Sequence, residues 1–200
     1  MTARPPWAAT CGLRIRHANA NDRDALAGFL GEMDAAGLYQ RHFAHGQAPN
    51  LALLERLDAA NGGDRVVMLA VDSARRVVGH AEYVAGDGEA EFALMVLSNW
   101  RDCGIGQSLL DALVAAATDA GLRRLHGMIQ ATNTRALQVV RKRGFRVAAG
   151  DDATTVIVWR TLAQQGVGDP TEPASAAPPA VSHPNRHDPD RTPLHCRPGP

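Results

Sequence analysis

The 200-residue sequence predicts a single α/β domain built around a mixed, largely antiparallel central sheet flanked by helices. Two local observations and one global one point there. Three strand candidates follow one another between Arg65 and Leu97 with only turn formers between them, and short links imply antiparallel neighbours. A glycine loop, Arg101-Asp-Cys-Gly-Ile-Gly106, then leads from a strand into a leucine repeat of helical spacing. The chain as a whole carries 21 basic and 21 acidic side chains with 45% hydrophobic residues, the profile of one globular domain.

Taken in order, Leu13-Arg-Ile-Arg-His17 alternates apolar and polar and reads as a half-buried strand. Asn21 caps the helix after it, and Leu26, Phe29, Leu30 and Met33 fall on one helical face. A second helix is expected near Leu51 to Ala60, ending at Asn61-Gly-Gly63. The three strands then span Arg65 to Val71, Arg76 to Val84 and Glu89 to Leu97, with turns around Asp72-Ser73 and Gly86-Asp87-Gly88. The next helix carries Leu109, Leu110, Leu113 and Ala117 and stops at Gly121. A strand over Leu122 to Gln130, a helix over Thr134 to Arg143 and strands over Phe145 to Val147 and Thr154 to Arg160 complete the order β-α-α-β-β-β-α-β-α-β-β.

Nine of the 12 prolines lie after Gly168, in a stretch with no Phe, Trp, Tyr or Ile. Such a stretch cannot offset its ordering entropy by burial, so residues 164–200 are expected to form a disordered tail, residues 13–163 the folded domain and residues 1–12 a flexible lead. Zero net charge without a basic run argues against nucleic acid as a partner, and no run of apolar residues suits a membrane span. The start lacks the apolar stretch of a signal peptide, so the expected location is cytoplasmic. Cys11, Cys103 and Cys196 are too scattered for a disulfide framework or a zinc site, and no metal is expected, even at His183, His187, His195 and Cys196 in the tail.

A glycine loop opening a helix exposes unpaired N–H groups at the positive end of the helix dipole, an arrangement suited to a phosphate. It is equally the signature of a tight turn. A P-loop would need Lys and Ser/Thr after its second glycine, where Gln107-Ser108 stands. A dinucleotide fold would want a small residue at Leu109 and an acidic one at Gln130, so a nucleotide-binding module is disfavoured.

With its surroundings, the loop resembles the GNAT superfamily of acyl-CoA-dependent N-acetyltransferases over roughly Leu13 to Leu162. The matching pieces are the strand Phe92-Ala-Leu-Met-Val96, Arg101-x-x-Gly104-x-Gly106, the strand Leu125-His-Gly-Met-Ile129, Asn133-x-x-Ala136, and Gly144-Phe145. The resemblance implies that acetyl-CoA is the co-substrate, its pyrophosphate held by the loop running through Arg101, Asp102, Cys103, Gly104, Ile105, Gly106 and Gln107. It further implies that main-chain groups at Met95 and Val96 pair with the pantetheine arm and that Asn133 bonds the arm from the other side. Asn133 is equally placed to cap the helix that follows it. Leu38-Tyr-Gln-Arg-His-Phe43 and Ala90-Glu-Phe-Ala93 are similar to segments in the GNAT domain of bacterial Pat-type protein-lysine acetyltransferases, whose motif glutamate, the catalytic base, maps to Glu91.

A lysine amine, with its reference pKa of about 10.4, must shed a proton before attacking a thioester, so a base is needed. On the strand, Glu89, Glu91, Ala93 and Met95 share one face, which sets Glu91 a few residues upstream of the cofactor-contacting segment. A solvated or ion-paired strand glutamate, like Glu82, is the plain alternative. The family's thiol-protonating tyrosine has its counterpart at Val140, which cannot donate a proton, leaving His80, His126 and Ser108 as unranked substitutes. An acyl-Cys103 route is conceivable, but the resemblance implies direct transfer to an amine of a protein lysine or a small molecule. The alternative function is a non-catalytic acyl-CoA-binding sensor.

Overall fold

The computed structural model describes residues 12–34, 64–150 and 152–163. The helix expected near Leu51 to Ala60, the Leu38 to Phe43 segment and the stretch after Ala163 lie outside the described residues. Within them the elements are β1 (Arg14–His17), a 3-10 turn (Ala20–Asp22), α1 (Arg23–Glu32), β2 (Arg65–Val71), β3 (Val77–Gly86) and β4 (Glu89–Val96). A second 3-10 turn (Ser98–Trp100) precedes α2 (Ile105–Asp119), β5 (Arg124–Gln130), α3 (Thr134–Lys142), β6 (Arg146–Ala149) and β7 (Thr155–Thr161). They form one mixed seven-stranded sheet in the order β1-β2-β3-β4-β5-β7-β6. Every pairing is antiparallel except β4 with β5, the one joined by the crossover through α2.

Local chemistry sets the boundaries. The first cap is Asn19 rather than Asn21: its side chain accepts from the Asn21 amide, while its own amide donates to Asp22 Oδ2 at 2.9 Å. This reciprocal box wins because Asp22 is also clamped by Arg16, at 2.6 and 2.7 Å, which holds the carboxyl below the usual carboxylate range. β3 and β4 are joined through Asp87-Gly88, both at positive φ (53° and 76°), the left-handed pair that a tight hairpin requires. Glu82, buried on β3, is ion-paired with Arg65 at 3.0 Å.

The core lies between the sheet and α2, which buries Ile105, Leu109, Leu110, Leu113 and Ala117. β4 and β5 stay together only from Glu89↔Arg124 to Glu91↔His126. Beyond that rung β4 remains bonded to β3 as far as Val96↔Gly79, and β5 remains bonded to β7 as far as Gln130↔Thr155, so the two middle strands part without leaving the sheet. Phe92 and Gly127 face each other at the parting point. A Cβ at Gly127 would stand 2.9 Å from the Phe92 carbonyl oxygen and 3.1 Å from its ring, so no larger residue fits the approach. The Phe92 ring in turn packs edge-on against Phe145, centroids 5.4 Å apart.

Gly127→Ala should therefore lower stability by about 1–3 kcal/mol, as overpacking does when backbone rather than a flexible side chain must move. Urea unfolding measures it. A wild-type midpoint would mean that Phe92 does not press on β5.

Candidate active-site cleft

Where β4 and β5 diverge they leave a cleft of about 360 Å³, within the size range of small-molecule sites. One wall is the β4 main chain from Phe92 to Val96, whose edge toward β5 carries no ladder partner. Unpaired strand edges take up extended ligands as an added strand. At the open end Arg101, Asp102 and Gly104 lead into the first turn of α2, where Ile105, Gly106 and Gln107 also line the cleft.

Gly104 is the N-cap of α2 at φ 77°, a left-handed position that glycine alone adopts without strain. It offers no side-chain cap, and the first helical bond is Ser108 N to Gly104 O at 3.1 Å. The amides of Ile105, Gly106 and Gln107 thus have no partner within the helix and stand at its positive end. A Cβ at Gly106 would meet Leu94 and Val96 at 3.6 and 3.8 Å, ordinary contact, so a methyl group would fit here without displacing β4. Across the cleft, Asn133 Oδ1 accepts from the Ala136 amide at 3.0 Å and caps α3 while also lining the site. The cap uses one lone pair of that oxygen and leaves the NH₂ available to donate to a ligand.

Met95, Val96, Arg101, Asp102, Gly104, Ile105, Gly106, Gln107 and Asn133 all meet in this one cleft. Cys103 does not line it and packs half-buried against the core. Glu91 does not line it either: it is exposed and occupies the last shared rung of β4 and β5, beside the vertex. Of the residues considered as acids, His80 is wholly buried on β3, and neither it nor Ser108 lines the cleft. Val140 does. Sequence reasoning missed Met33, Met128, Arg135 and Lys142 among the lining residues; a helical wheel of α3 places Arg135, Gln138, Val139 and Lys142 on one stripe, which was the available signal. Arg135 pairs with Asp102 at 2.9 Å, and Arg101 with Asp34 at 3.3 Å, so the carboxylate in the loop is offset by a cation from the opposite wall. Among the described residues no cluster of His, Cys, Asp or Glu is arranged to hold a metal ion, and no helix is long and apolar enough to cross a membrane.

His126, paired with Glu91 in register, is half-buried. Burial holds its pKa below the usual value for histidine; Glu91 and Glu89 work against that shift and Arg124 reinforces it. The His126 resonance should accordingly titrate below about pH 6.5, and Glu91→Gln, by deleting a charge that favours the imidazolium, should move its midpoint further down. NMR titration of both forms checks this. A midpoint indifferent to Glu91→Gln would show that the two side chains are not neighbours in solution.

Against known proteins, residues 32–145 match the model of the acetyltransferase (GNAT) family. The fold superposes on the GNAT domain of S. lividans PAT with a TM-score of 0.69 at 22% identity, covering 75% of this chain and 90% of that one. A GNAT superfamily phosphinothricin acetyltransferase from Sinorhizobium meliloti, solved in complex with AcCoA, gives 0.62 at 20% identity over 86% of this chain and 96% of its own. The PaiA N-acetyltransferase from Thermoplasma acidophilum, solved with coenzyme A, gives 0.59 at 18% identity, covering 74% and 98%. The chain belongs to the GNAT acetyltransferase family.

Proposed function

We propose that this GNAT-family chain moves an acetyl group from acetyl-CoA to a primary amine, either a protein lysine or a small amine, with Glu91 as the general base. The observation that carries the reading is the β4 edge left open from Phe92 to Val96 and leading straight to the uncapped first turn of α2. The donors present fit a pyrophosphate on an extended amide-bearing arm: main-chain groups along β4, first-turn amides at the helix start, and the Asn133 NH₂ opposite. Solved GNAT relatives hold coenzyme A or AcCoA, which supports the same co-substrate here. The resemblance of Ala90-Glu-Phe-Ala93 to the Pat-type motif supports protein lysine as one acceptor class.

Bound acetyl-CoA supplies a thioester carbon open to attack by an amine. The amides of Ile105, Gly106 and Gln107 hold negative charge at the mouth, and the Met95 and Val96 backbone keeps the arm extended toward the vertex. Glu91 shares a strand face with Ala93, two residues nearer the cleft and thus about 6.6 Å along the strand. At that separation its carboxylate takes the amine proton through an intervening water. Val140, buried in the cleft wall, has no proton to give, so the departing thiolate takes its proton from water. That valine is also what favours a second reading, an acyl-CoA-binding sensor without turnover.

Assay of acetyl transfer from acetyl-CoA to a panel of amines and lysine-containing proteins separates the two. Glu91→Gln should retain acetyl-CoA affinity by calorimetry and lose about 10²–10⁴-fold in kcat/KM near neutral pH. The loss should shrink toward about pH 9 to 10, where more acceptor is already neutral. Wild-type turnover in the variant would return Glu91 to an ordinary surface glutamate, and absence of turnover in the unaltered chain would favour the sensor.

A further inference from the structure

The parting of β4 and β5 leaves Glu91 and His126 side by side on their final common rung, and paired residues of neighbouring strands project to the same face. The row continues through Trp159, the β7 partner of His126, to Arg146 on β6. Trp159 is 5% exposed and walls His126 on the side away from Glu91. The imidazole therefore has a carboxylate on one flank and a buried indole on the other.

We propose that His126 is a positioning residue that keeps Glu91 available as a proton acceptor at neutral pH and disarms it in acid. The proposal rests on the reading of Glu91 as the base. A neutral imidazole carries no charge, so on this rung it leaves the Glu91 carboxylate unneutralised. Once protonated, the ring becomes the cation of an ion pair, and a carboxylate in such a pair is a poorer base. Over one turnover near neutral pH the amine proton passes through water to a Glu91 oxygen and on to solvent, and His126 neither gains nor loses a proton.

The surrounding charges are compatible with this division. Glu89 and Arg124, two rungs back on the same face, pair at 3.6 Å, so they largely offset one another near the imidazole. Glu82 is engaged by Arg65 on β2 and β3, and Arg146 lies beyond Trp159. α1 turns Leu26, Phe29 and Leu30 inward, bringing no ionisable group to the core from that element. Burial, the largest influence on His126, favours its neutral form.

The test is kcat/KM against pH, from about 5 to 9, with acetyl-CoA and an Nα-blocked lysine as acceptor, for the full chain and for His126→Gln and His126→Lys. Because Glu91 takes its proton from the ammonium form of the acceptor, the unaltered chain should be nearly flat near neutral pH, and the slope of the logarithm should approach about 1 in acid as His126 gains its proton. His126→Gln should stay nearly flat, gaining on the unaltered chain by roughly tenfold per pH unit once the imidazole is protonated. His126→Lys, a fixed cation, should instead fall below the unaltered chain near neutral pH with an equally flat profile, and meet it in acid, where the imidazole is itself a cation. Parallel profiles for all three forms, or equal losses in both variants, would overturn the proposal, because a merely structural histidine has no reason to give opposite results with Gln and Lys. Wild-type turnover in Glu91→Gln would instead remove the base on which the proposal stands, an outcome told apart from parallel profiles accompanied by an inactive Glu91→Gln.

Discussion

Two strands of one sheet cannot separate in mid-course unless each keeps its backbone bonded elsewhere, because unpaired main-chain groups are costly away from water or a ligand. β4 and β5 meet this constraint through their outer neighbours: β3 holds β4 along its length and β7 holds β5. The contact of Phe92 with Gly127 sets where the parting begins. Everything at the site is measured from that point. The cleft, the open edge of β4 and the position of Glu91 beside the vertex are consequences of a ladder that stops at Glu91↔His126.

The same geometry divides the chemistry between two environments. Inside the cleft the donors are main-chain amides, the Asn133 NH₂ and cations at the mouth, all suited to a long anionic ligand. Glu91, the proposed base, stands outside it, exposed, on a rung shared with a half-buried histidine. Keeping that carboxylate out of the cleft avoids burying a charge next to the anionic co-substrate proposed for it, a juxtaposition that would weaken binding. Asp102, the acidic residue that does enter, is matched by Arg135 at 2.9 Å.

Much of this could be read before any coordinates. Hydrophobic period and turn chemistry located the elements among the described residues to within a few positions, because Asp87-Gly88 and Gly104 admit few conformations other than those they adopt. Asn133 proved to serve as the cap while also lining the cleft. The rung at which β4 leaves β5 was not legible, since it depends on Phe92, Gly127 and Phe145, which come from distant parts of the chain. The pairing of Glu91 with His126 was hidden for the same reason: register between parallel strands joined by a helix leaves no local trace. Asn19 displaced Asn21 as the cap through Arg16, whose grip on Asp22 is a tertiary contact that propensity does not encode.

The central claim is that the open edge of β4 receives the arm of an acyl-CoA as an added strand. Hydrogen exchange of the backbone amides from Phe92 to Val96, with and without saturating coenzyme A, tests it most directly. Amides that point into the cleft should slow by roughly tenfold or more on binding, while those already bonded to β3 change little. Unchanged exchange throughout this segment at saturating ligand would contradict the account, since the arm would then be held somewhere other than the edge that the splayed strands expose.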